Sequence, residues 1–115
     1  MPALTGNNWS VGGLVTKHVL YGMRADRGEA VAGILARRLG HAFEQRESHW
    51  KGEYWRARIG SSTVTIVSQP DPYGVPVEDA FADYGTLVFV DGGGVEDLDG
   101  VAVEDDVLER LRCSD

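Results

Sequence analysis

Cysteine occurs once, at Cys113. That excludes an internal disulfide framework and any multi-thiolate metal site. No apolar run approaches the roughly 18 residues of a membrane span. The segment from Met1 to Gly13 lacks the basic start and apolar core of a secretory signal. These absences point to a reducing, cytoplasmic setting. Proline is scarce, and three of the four residues crowd into one loop at Pro70, Pro72 and Pro76. The motifs of common chemistries are missing too. There is no G-x-S-x-G, no P-loop and no G-x-G-x-x-G.

What is present describes one ordinary domain. The 115 residues are 43% apolar and 25% charged, a balance that supports a packed core. The net charge is −7, unevenly placed. Residues 1–70 hold nine basic and five acidic side chains, a net +4; residues 71–115 hold two and thirteen, a net −11. Such a surface repels phosphates, which argues against nucleic acid and anionic membranes as partners. A basic protein is its natural complement.

Residues 1–13 read as a loose arm and 14–115 as a single α+β domain. Leu14 to Met23 alternates in the manner of a strand. Leu14, Thr16, His18 and Leu20 share one face, Val15, Lys17, Val19 and Tyr21 the other. Both faces are partly apolar, so the strand belongs inside a sheet. A helix is expected at about 26–39. Asp26 suits its cap, with Glu29 at capping-box spacing. Val31, Ile34, Leu35 and Leu39 form its apolar stripe, Arg37 and Arg38 oppose its negative end, and Gly40 suits the left-handed position after it. Residues 41–69 read as a three-stranded antiparallel meander with turns at 49–52 and 60–61. In its middle strand Tyr54, Arg56 and Arg58 face one way, Trp55, Ala57 and Ile59 the other. A proline loop follows, then a short helix near 78–84 and a buried strand at 86–90. A single helical turn is expected at 95–100, and the 107–113 pattern fits helix or strand. The fold class expected is α+β: an antiparallel or mixed sheet with one main helix packed on one face.

The candidate chemistry is thin. Gly92-Gly93-Gly94 after a strand outlines a phosphate cradle, but Asp91, Glu96 and Asp97 flank it and repel phosphate. The Asp97 to Gly100 fragment lacks the ligand alternation of a calcium loop. His18, His41 and His49 do not follow a zinc spacing, so no metal and no cofactor is expected. Cys113 stands too near the end of the chain for a supported catalytic thiolate, and no catalytic residue is assigned. Glu44, Glu47 and Glu53 alternate with Arg46 and Arg56 in the manner of cross-strand ion pairs. The segment from His49 to Arg58 is the most distinctive. Two tryptophans and a tyrosine lie within six residues, mixed with arginine and lysine. That mixture marks the centres of protein interfaces, and can also stack bases.

Arg46-Glu47-Ser48-His49-Trp50-Lys51-Gly52-Glu53-Tyr54, with its Arg-Glu-Ser-aromatic-x-Gly-x-Tyr pattern, carries a resemblance. It is similar to small uncharacterised bacterial proteins that, in size and acidity, resemble the immunity proteins neutralising polymorphic toxins. The resemblance implies occlusion of a basic toxin rather than catalysis. The expected function is therefore non-enzymatic protein binding. Trp50, Tyr54, Trp55 and Arg56 would anchor the partner, and Glu96, Asp97 and Asp99 would steer it. The alternative is a ligand-binding or catalytic domain with a pocket between sheet and helix, lined by His18, Glu44, Tyr54 and Arg56. Either would be a monomer or a homodimer.

Overall fold

A computed structural model describes residues 17–48 and 52–114. The expected arm at 1–13, the expected start of the first strand at 14–16, and His49, Trp50 and Lys51 of the turn expected at 49–52 lie outside the described residues. Eight strands are found among the described residues: β1 His18–Met23, β2 Glu44–Ser48, β3 Gly52–Ile59, β4 Ser62–Ser68, β5 Thr86–Asp91, β6 Ala102–Val103, β7 Asp106–Val107 and β8 Glu109–Ser114. Among the described residues one α-helix, α1, spans Gly28–Leu39, and one 3₁₀ turn spans Asp79–Phe81. Six strands form one sheet in the order β2-β3-β4-β5-β1-β8, and every neighbouring pair is antiparallel. This is an α+β fold.

Register decides which side chains share a face. Trp55, Ile66, Val88 and Tyr21 lie in one line across four strands; Ala57, Val64, Val90 and Val19 lie in the next. All eight are buried and face the helix layer. Helix α1 packs over β3 and β4. Its Val31 and Leu35 are wholly buried. Each adds roughly 1.5–3 kcal/mol of burial free energy. Trp55, 8% exposed, packs directly beneath the helix start. A Cβ on Gly28 would come within 2.5 Å of its ring, so only glycine fits there.

The helix begins two residues later than the spacing of Asp26 and Glu29 suggests, and Asp26 does not cap it. Arg27 holds the cap position without a side-chain cap bond. Asp26 instead accepts a hydrogen bond from Ser68 Oγ at 2.8 Å. The junction is secured from the sheet. Thr86 Oγ1 accepts from the Arg27 backbone N–H at 2.8 Å and donates to the Ala25 carbonyl at 2.7 Å. The helix exit matches expectation: Gly40 is left-handed at φ 68° and its N–H bonds to the Ala36 carbonyl.

Three further expectations change. Residues 78–84 hold only the 3₁₀ turn. Residues 95–100 form no helical turn; the chain proceeds to the two-residue hairpin of β6 and β7, with Glu104 at φ 55°. The 107–113 ambiguity resolves to strand, because the edge of β1 supplies β8 with a partner that no local pattern reveals. A bulge between Leu20 and Tyr21 shifts its register.

Candidate functional site

Residues 92–108 do not lie in the main sheet. They fold over the β5–β1–β8 end of it, beside α1. Leu98, Val101, Val103 and Leu108 are buried in the same core as Val31 and Leu35. These four residues are committed inward, and the acids between and beside them are left outward. Glu96, Asp97, Asp99, Glu104 and Asp105 are all exposed.

Bonds from the layer beneath hold this acidic surface in place. Tyr21, 3% exposed, rises from β1. Its hydroxyl donates to Asp97 Oδ1 at 3.0 Å and accepts from the Leu98 backbone N–H at 3.1 Å. Asp97 Oδ1 also accepts from the Asp99 N–H at 3.1 Å, while its Oδ2 pairs with Arg110 Nη1 at 3.2 Å. Asp99 Oδ1 accepts from the Arg110 backbone N–H at 2.8 Å. The helix contributes two ion pairs, Arg38 Nε with Glu96 Oε1 at 3.2 Å and Arg27 Nη1 with Glu104 Oε1. Asp105 has no bonding partner among the described residues.

The electrostatics follow from these contacts. The Asp99 N–H and the Tyr21 hydroxyl, with Arg110 adding attraction, hold the Asp97 carboxyl below its ordinary range. Burial pushes the Tyr21 phenol above its ordinary value, and the neighbouring Asp97 carboxylate adds to the rise. Near neutral pH Asp97 is therefore an anion and Tyr21 a neutral donor. Neither is poised for proton transfer there. Their work is to orient the loop.

Beside this network lies a cleft of about 160 Å³ whose lining includes Tyr21, Asp97, Arg110, Cys113, Gly92 and Gly93. The glycines do not offer a phosphate cradle. The Gly92 N–H is bonded to the Lys17 carbonyl at 2.7 Å and the Gly94 N–H to Ser62 Oγ at 2.9 Å. Gly92 is glycine because φ is 103° and a Cβ would sit 2.8 Å from Ser62 Cα. No cluster of three metal-ligating side chains occurs among the described residues.

The other expected residues fall elsewhere. Tyr54 and Trp55 point to opposite faces of β3, so they form no common patch. Trp55 is committed to the core under α1. Tyr54 is half-buried on the far face, packed with Leu20, Val67 and Leu87 beneath Val77, Phe81 and Tyr84 of the 69–85 segment. Glu44 opposes Arg56 in the β2–β3 register, and Tyr54 is one step along. His18 lies three strands from Arg56, about 14 Å at ordinary strand spacing, so the four do not converge on one ligand-sized pocket. His18 Nδ1 meets Asp91 Oδ1 at 2.6 Å. The expected cross-strand ion pairs of β2 and β3 are replaced by a pair along one strand, Arg46 Nε with Glu44 Oε1 at 2.7 Å. Glu47 stands opposite Glu53.

Tyr21 is the site residue that sequence reasoning missed. It reads as one more residue of an amphipathic strand, and its partner Asp97 is 76 positions away. Only its hydroxyl, on an otherwise apolar inward face, marks it as needing a polar partner.

Compared with known families, curated proteins and solved structures, the chain matches none. No helix among the described residues is long and apolar enough to cross a membrane. Fold and site together define a two-layer α+β protein with an ordered acidic outer surface.

Proposed function

We propose that the chain is a non-enzymatic protein-binding domain whose partner is a basic protein. The binding surface is the outer side of residues 92–108, and the mode is occlusion, as in an immunity protein that blocks a toxin. One observation carries this reading. Five exposed acids sit on a short segment that is pinned by Tyr21, Arg110, Arg38 and Arg27. A pre-ordered anionic surface binds without first losing loop entropy, and complementary charge speeds encounter.

The test is capture of partners from a lysate of the source organism at low salt, with wild type and a Glu96→Gln/Asp105→Asn variant compared. The expected result is one stoichiometric basic protein, released by salt, whose association with the variant is several-fold slower. Recovery of no such protein, or an unchanged association rate in the variant, would refute the reading.

A further inference from the structure

The six-stranded sheet ends at β2, which has β3 on one side and no strand on the other among the described residues. Glu44, Gln45, Arg46 and Glu47 are all exposed. The backbone of this edge can be read from the neighbouring hairpin. Gly60-Ser61 joins β3 to β4 by a two-residue loop, so the flanking pair, Ile59 and Ser62, exchanges backbone bonds. Bonded and non-bonded pairs alternate from there. Trp55 and Ala57 bond to β4, and Tyr54 and Arg56 turn their amides toward Arg46 and Glu44 of β2. That leaves Gln45 and Glu47 with N–H and C=O directed out of the sheet.

We infer that this edge pairs antiparallel with the β2 edge of a second copy of the chain, about a two-fold axis at Gln45. Paired side chains in antiparallel strands share a face, so the axis must pass through a residue pair. Three positions overlap more than a single residue of β2. At Arg46 the axis brings two guanidiniums together, and at Glu47 two carboxylates. At Gln45 the charges are complementary. Gln45 exchanges two backbone bonds with the other copy's Gln45. Glu44 stands beside the other copy's Arg46, twice by symmetry, in the closer, non-bonded kind of pair. Within one copy Arg46 Nε already bonds Glu44 Oε1 at 2.7 Å. The junction joins two such pairs into a ring of four alternating charges. Charge thus guards this edge against the wrong registers and favours one.

The layers on either face leave the junction open. The axis is normal to the sheet, so each layer stays over its own copy. Helix α1 lies over β3 and β4. The two helices are then roughly 19 Å apart, beyond the roughly 8–10 Å at which helices pack. On the other face the 69–85 segment comes nearest where Pro72 lies over Gly52, opposite Ser48. These two places lie on opposite sides of the axis, roughly 20 Å apart along the strands. Ser48 is level there with the other copy's Ala42, a small exposed residue. One short strand edge per copy makes the dimer weak and concentration-dependent. Residues 92–108 lie at the opposite end of the sheet, so this inference and the proposed binding surface stand or fall separately.

Sedimentation velocity on the full chain between about 5 and 500 µM tests this. The expected result is a shift from 12.5 kDa toward twice that mass with rising concentration. Gln45→Pro removes the N–H at the axis and both central bonds. Strand β3 does not use that N–H, so the variant stays folded by circular dichroism and is a monomer. Gln45→Ala keeps the N–H and dimerises. Glu44→Arg alone and Arg46→Glu alone each weaken association by roughly tenfold, and the double exchange Glu44→Arg/Arg46→Glu restores it. These exchanges decide the matter even where Gln45→Pro harms folding. A monomer at every concentration, growth beyond two copies, or a dimer indifferent to Glu44→Arg overturns the inference.

Discussion

Replacing Tyr21 with phenylalanine isolates the bond that ties the acidic layer to the sheet. The ring stays, so the packing against the core is kept. The hydroxyl is lost, and with it both the donor to Asp97 and the acceptor for the buried Leu98 N–H. Asp97 is exposed and regains water. Leu98 is wholly buried, and no water replaces its partner. The dominant effect is therefore one orphaned buried N–H, about 2 kcal/mol. Urea unfolding followed by circular dichroism reads it. With a slope of about 1.5 kcal/mol per molar urea, the midpoint falls by about 1.3 M. A midpoint within 0.3 M of wild type, with an unchanged slope, would refute this account of how the layer is held; that limit is set by ~0.5 kcal/mol of stability. The acid dependence supplies a second check. Asp97 is held below its ordinary 3.8, so its bonds add stability that is complete above the unfolded value. That stability disappears as pH falls through the folded value. Tyr21→Phe removes one cause of the depression, so its acid-dependent loss of stability is smaller than in wild type and is complete at a higher pH.

The remaining predictions concern the fold that carries this surface. Tyr21 itself titrates above its ordinary 10.0, so wild type loses stability as pH rises past 10, and Tyr21→Phe does not share that loss. Thr86→Val leaves the Arg27 N–H and the Ala25 carbonyl without their partner. It costs about 2 kcal/mol in chemical denaturation, whereas Thr86→Ser retains most of the stability. Gly85→Ala places a Cβ 2.8 Å from the Asp26 backbone nitrogen and 2.9 Å from the Arg24 carbonyl oxygen. Backbone cannot rotate aside, so thermal unfolding shows a loss of ~2 kcal/mol or more. Trp55→Ala opens a cavity beneath α1 and costs about 3–5 kcal/mol, read as a lowered melting temperature.

Much of the architecture is written in local pattern. The Val31, Ile34, Leu35, Leu39 stripe marks the helix, and Gly40 marks its end, because both depend only on neighbours three or four positions away. Alternation separates Tyr54, Arg56 and Arg58 from Trp55, Ala57 and Ile59, because a strand sends successive side chains to opposite faces. The Gly60-Ser61 turn fixes the β3–β4 register by its length alone. These are short-range properties.

What needed the tertiary structure involves groups far apart along the chain. Asp26 has the right type and spacing for a cap, but Ser68 takes its carboxylate and Thr86, 59 positions beyond Arg27, bonds the backbone instead. The C-terminal strand exists because β1 has a free edge for it. The acids of residues 91–106 look alike in sequence, yet Glu96 and Asp97 are paired and Asp105 is not. Glu44, Gln45 and Arg46 read as one strand of a meander, and only strand order shows that β2 ends the sheet. Composition determined that the chain has enough apolar residues for a packed interior and carries excess negative charge. Strand order decided where that charge lies, since pairing brings together residues whose separation along the chain no local periodicity encodes.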